Sequence, residues 1–147
     1  MSVHVELRAL ADAYAINIDR QDFAAAGGLF SGDGRLVVTQ LPPAVGPHEI
    51  AAVFPAALGR LAQAYGLDEA TLRTHHFVGN HLCDVGSGLA SGTTYCLARH
   101  ADEVGHDVVI MVLRYDDEYV QTPDGWRFQE RRIVRQWAEI AVRSPAR

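Results

Sequence analysis

Two kinds of hydrophobic periodicity occur along this chain, and the order in which they occur restricts the fold most. Residues 3–19 place Val3, Leu7, Leu10, Ala11, Tyr14 and Ile18 at three- and four-residue steps, the spacing of one helix face. A second helical piece follows over about 21–30, and Asp19 stands where an aspartate can cap it. Gly32-Asp33-Gly34 reads as a turn, Arg35–Gln40 as a short strand, and the proline-rich 41–47 as a loop. His48–Tyr65 reads as a helix ended by Gly66. From residue 72 the period changes to that of strands: Leu72–Asp84, Leu89–Ala101, Asp107–Val120 and Trp126–Trp137. Turns at 85–88, 102–105 and 123–125 separate them. Helices first and a strand meander second predict an α+β fold, not βαβ. The expected architecture is a cone-shaped α+β barrel, with N-terminal helices packed on a strongly curved antiparallel sheet and a cavity between the layers.

No repeat, low-complexity tract or long linker divides the 147 residues, so a single domain over 1–147 is expected, with its core at about 3–137 and a short tail. A hydrophobic fraction of 48% is that of a globular chain, and a domain of this length needs no disulfide or metal to stay folded. A net charge of −5 argues against a nucleic-acid partner bound through phosphate neutralisation. No apolar run approaches the roughly 18–20 residues of a membrane span. The start lacks a basic region followed by an apolar one, so neither membrane nor leader is expected. Two cysteines without metal-type spacing fit a reducing cytoplasm.

Seven histidines are many for this length. His4, His48 and His106 fall at element ends or loops and are expected to be solvated. His75, His76, His81 and His100 fall inside strands. His76 and His81 are an odd step apart, so a regular strand points them to opposite faces, while His75 and His81 share one. Such pairs make a weak case for a metal, which needs three or four convergent ligands. Centring the first hairpin on Ser87 sets His76 opposite Ala98 and puts His100 on the same face. Diagonal neighbours of this kind lie roughly 7–8 Å apart. Asn80, Thr94 and Cys96 share that face; His75, Phe77, Tyr95, Leu97 and Arg99 share the other. Cys83 then faces Ser91 and Cys96 faces Val78, so the thiols are unpaired. A slip of one residue would reverse the partner strand. A face with this many polar groups reads either as the lining of a wet cavity or as a hydrogen-bonded structural cluster.

Several segments resemble one family. Tyr14-Ala-Ile-Asn-Ile-Asp19-Arg-Gln-Asp22-Phe23 with Leu29-Phe30, then Thr74-His75-His76-Phe77-Val78-Gly79-Asn80, then Gly125-Trp126-Arg127-Phe128 with Arg131, are similar in kind and order to SnoaL-like proteins of the nuclear transport factor 2-like superfamily. Within it, the pattern most resembles scytalone dehydratase and bile-acid dehydratase. The resemblance implies a carboxylate role for Asp19, a base role for His76, a second histidine in His100 and a substrate-contacting tyrosine in Tyr14. A hexachlorocyclohexane dehydrochlorinase has a similar Asp–His pair. Ile18 stands where the scytalone enzyme carries a tyrosine.

A neutral imidazole can accept a proton at pH 7, and a carboxylate on its other nitrogen fixes the tautomer and stabilises the cation. Asp19, His76 and His100 are therefore the candidate catalytic residues. Tyr14, Asn80, Thr94 and Cys96 are the candidate substrate-binding residues. The chemistry this suits is a dehydratase-like lyase or isomerase acting on a small apolar cyclic ketone, steroid-like or polyketide-like. No cofactor and no metal are expected, and no glycine-rich phosphate loop is visible. The alternatives are a polyketide cyclase or epoxide hydrolase on the same scaffold, or a non-catalytic ligand-binding or assembly domain, as the β subunits of ring-hydroxylating dioxygenases are. A homodimer or homotrimer is expected, packed through the sheet's outer face, where Phe77, Tyr95, Leu97 and Trp137 would lie.

Overall fold

The computed structural model describes residues 1–39, 41–105 and 107–143. His106 and the end of the tail lie outside them, as does Gln40 from the first expected strand. Helix α1 runs Val3–Asp19 and turns Leu7, Leu10, Ala11, Tyr14, Ala15 and Ile18 inward. Burying each large member of that stripe stabilises by about 1.5–3 kcal/mol relative to exposure. Helix α2, Phe23–Gly27, is shorter than expected, and its cap is Asp22, which accepts from the Ala25 N–H at 3.0 Å. Asp19 is thereby free for another task. Strand β1, Phe30–Val38, spans the expected Gly32-Asp33-Gly34 turn, which falls in an irregularity where the five steps from Phe30 to Arg35 lie opposite the two from Phe128 to Glu130. The expected loop holds a two-residue strand, β2, Ala44–Val45, paired with Arg35 and Leu36. Helix α3, Gly46–Tyr65, starts at a proline in its first turn and ends at Gly66 in the left-handed conformation that glycine tolerates (φ 67°).

The C-terminal half is the expected meander: β3 Arg73–Val85, β4 Leu89–Ala101, β5 Asp107–Thr122 and β6 Gly125–Val142. The sheet order is β2-β1-β6-β5-β4-β3. The β1–β6 pair is parallel, so the sheet is mixed where an antiparallel one was expected. The cause is connectivity: helix α3 and the meander carry the chain away before β6 returns beside β1.

Along β5 the inward positions Val109, Met111, Leu113, Tyr115, Asp117 and Tyr119 are all buried. At the core's centre Arg131 pairs with Asp117 through two bonds of 2.8 Å, both side chains fully buried. The Arg131 guanidinium lies 4.2–4.4 Å from the ring centroids of Tyr14, Tyr115 and Phe128. Aromatic faces and one carboxylate replace the water this cation loses.

Candidate active site

Strand β3 is an edge of the sheet, so one side of its backbone has no strand partner. Helix α1 docks along that edge and supplies side chains in place of a strand. Asp19, the last residue of α1, receives the His76 backbone N–H at 2.9 Å and the Thr74 hydroxyl at 2.8 Å. The His76 ring completes the set, with Nδ1 2.6 Å from Asp19 Oδ1. A carboxylate at a helix C-terminus faces the negative end of the macrodipole, a placement disfavoured by roughly 0.3–1 kcal/mol. The three donors offset that cost. Burial pushes the Asp19 carboxyl up, but the hydrogen bonds from the His76 ring and N–H, the ring's charge and the Thr74 hydroxyl outweigh it, so its pKa is lowered. An ionised Asp19 only accepts, which assigns the ring proton to Nδ1 and leaves the Nε2 lone pair free.

His100 lies beyond His76, ring centroids 6.1 Å apart and nearly perpendicular. Burial, and then the field of His76, push its pKa down to about 4, so it is neutral at pH 7. Its Nδ1 is buried without a protein partner. His100 borders a cavity of about 590 Å³ between α3 and the sheet, together with Leu61, Tyr65, Met111, Leu113 and Ile133. Among the described residues no three His, Cys, Asp or Glu side chains converge as a metal-binding group.

The hairpin register agrees with the expected one only as far as Val78, which faces Cys96. A bulge between Val78 and His81 then shifts it by one residue. Two expectations fall with that shift. Asn80 is exposed and turned away from the inner face, and Cys83 faces Gly92, not Ser91. His81 joins the His76 face, its Nε2 3.3 Å from the Tyr119 hydroxyl, while His75 stays outside. Burial lowers the His81 pKa. The bulge has a visible cause. Arg8 on α1, held by Asp12 one turn on, donates to the carbonyls of Gly79 (2.7 Å) and Val78 (3.1 Å).

The remaining candidates are buried, and none is among the residues that line the cavity bordered by His100. Tyr14 is buried and packs edge-on against Phe30, Phe54, Tyr115 and Phe128. Thr94 is fully buried, with its hydroxyl unpartnered. Cys96 is buried, and its thiol is pushed up to about 11 by that burial, so it is no thiolate at neutral pH. Sequence reasoning missed Thr74, although it shares strand parity with His76. It also missed Arg8 and the Asp117–Arg131 pair, whose roles depend on partners far away in the chain.

The SnoaL-like domain family matches residues 2–132. None of the curated proteins matches the chain. Among solved structures, the chain is similar to ActVI-ORFA from Streptomyces coelicolor, at 19% identity over 92% of this chain and 98% of that one, with a TM-score of 0.74. It is similar to a scytalone dehydratase-like protein from Novosphingobium aromaticivorans, at 19% identity over 97% and 95%, TM-score 0.73. It is also similar to the hexachlorocyclohexane dehydrochlorinase LinA-type3 from Novosphingobium barchaimii, at 12% identity over 96% and 92%, TM-score 0.77. At these identities the likeness is one of fold.

Proposed function

This chain belongs to the SnoaL-like domain family, and on that premise we propose that it is a dehydratase-like lyase or isomerase acting on an apolar cyclic ketone. The observation that carries the reading is the 2.6 Å contact from Asp19 to His76 Nδ1. It leaves Nε2 as a base beside a histidine that borders a largely apolar cavity. In the proposed reaction His76 Nε2 takes the proton from the carbon next to the substrate carbonyl. The C–H electron pair moves into an enolate, and Asp19 stabilises the imidazolium. Neutral His100 donates its N–H to the carbonyl oxygen. For a β-hydroxyketone the enolate then expels the hydroxyl, which leaves as water with the proton returned by the imidazolium. For an isomerisation that proton returns to a carbon of the conjugated system instead. Proton transfer alone balances both routes, so neither needs an electron carrier.

The test is a panel of cyclic β-hydroxyketones and conjugated enones followed by product absorbance. Turnover by the wild type that is lost in His76→Ala supports the proposal. A panel on which both proteins are equally active, or equally inert while the compounds bind, overturns it. Steroid-like and polyketide-like rings both suit the cavity's size and lining, and the same panel separates them.

A further inference from the structure

Among the described residues, the cavity bordered by His100 has two cations in its wall and no carboxylate. Arg60 and Arg135 line it; the other wall residues are apolar apart from Thr39, Tyr65 and His100. The chain as a whole is acidic, with 18 Asp and Glu against 13 Lys and Arg, so the wall is opposite in sign to the molecule.

Arg60 extends from the α3 stripe that also presents Ala57, Leu61 and Ala64 to the cavity. Arg135 reaches the inner side by the alternation Arg131, Ile133, Arg135, which faces Asp117, Tyr115 and Leu113 without a break. Val112 faces Trp137, yet Leu113 faces Arg135. The extra residue, Gln136, lies beyond Arg135 and turns Trp137 to the outer face. Among the described residues, neither guanidinium forms an ion pair. A guanidinium presents a planar fork of N–H donors that suits a carboxylate in two-point contact.

We propose that the ligand of this cavity is an amphiphilic anion, a ring-shaped apolar body carrying a carboxylate. The carboxylate sits between Arg60 and Arg135, both of which are exposed at the rim. The apolar body lies against Leu61, Met111, Leu113 and Ile133, and its far end meets His100. The inference rests on the proposed function only in placing the reacting end at His100 and His76; the anion preference stands on the wall itself.

The experiment compares binding of naphthalene-2-carboxylate and its neutral analogue 2-naphthalenemethanol to the full chain, followed by probe fluorescence. The expected result is carboxylate binding tighter by about tenfold at low salt, with the gap closing toward 0.5 M salt as rim charges are screened, on the order of a few ångströms' Debye length. In Arg60→Gln/Arg135→Gln the gap should vanish while the alcohol binds as before; these exposed side chains do not hold the core. Equal affinity for both probes, a gap that survives the double substitution, or no binding of either overturns the proposal. The catalytic reading fails separately: His76→Ala leaves the carboxylate preference intact, so a protein that shows the preference but turns over none of the panel retains this inference and loses the other.

Discussion

At the scale of single residues, Asp19 and His76 act as a unit. His76→Ala is expected to lower turnover of a panel substrate by roughly 10²–10⁴-fold, since it removes the base. Asp19→Asn keeps the shape, but its amide can donate to Nδ1 and leave the proton on Nε2; it also no longer stabilises the imidazolium. A fall of similar order in kcat, with KM little changed, is the expected kinetic signature. Thr74→Val removes one of three donors and should cost about tenfold or less. Wild-type rates in Asp19→Asn would remove the dyad from the chemistry.

His100 contributes a pH dependence to stability. Its unfolded pKa is near the reference of about 6.5 and its folded value is about 4. Between these values the unfolded chain holds a proton that the folded chain does not. Stability therefore rises with pH across that window, and acidification through it is expected to cost up to about 3 kcal/mol. Asp19 acts in the same direction at lower pH. Its depressed carboxyl contributes stability above the unfolded value of about 3.9, lost as pH falls through the folded one. Urea midpoints measured between pH 4 and 7 should slope accordingly, and His100→Phe should flatten the upper part of that slope. An unchanged slope in the variant would assign the dependence to other groups.

Among the elements, the contact between α1 and the free edge of β3 decides the most. Arg8 and Asp19 lie eleven residues apart, about three helical turns, and so share a face. One holds the bulge carbonyls and the other the His76 N–H. Arg8→Met is expected to release the bulge and to cost about 1–2 kcal/mol, a charge-assisted bond discounted for partial exposure. Amide exchange along 76–82 should speed up in that variant while β5 stays protected. Uniform protection in both would show the bulge to be intrinsic to Gly79-Asn80. A second sensitive junction joins α2 and α3. A Cβ on Gly27 would collide with the Pro47 carbonyl, so Gly27→Ala is expected to lower the thermal midpoint by several degrees, on the order of 1–2 kcal/mol of overpacking.

For the whole molecule, the outer face of the sheet is the unfinished part. Phe77, Leu97, Val112 and Trp137 are successive cross-strand partners, so they form one row across four strands. Phe77 is 76% exposed and Trp137 57%. A row this apolar is more than a monomer ordinarily leaves in water. A homodimer packed through these faces is the expected state, and Trp137→Arg should dissociate it. A light-scattering mass near 16.1 kDa for the wild type at micromolar concentration would refute this. No helix among the described residues is long and apolar enough to cross a membrane.

Much of this architecture follows from local patterns. α1 and β4 end where the periodicity ends, because a helix stripe and a strand alternation each need only neighbouring residues to be visible. The inner placement of His76 and His100 follows from strand parity and one turn centre, which is arithmetic on the sequence. What parity cannot contain is an extra residue. The bulge before His81 exchanges Asn80 for His81 on the inner face, and the irregularity in β6 turns Trp137 outward; each depends on a partner strand or helix. Arg8 shows why: its partners are carbonyls about seventy residues away, and backbone carbonyls have no sequence signature. The parallel β1–β6 pair and the burial of Arg131 among aromatic rings were decided in the same way. In each case the energy comes from groups that meet only once the chain has closed on itself, so only the tertiary structure could determine it.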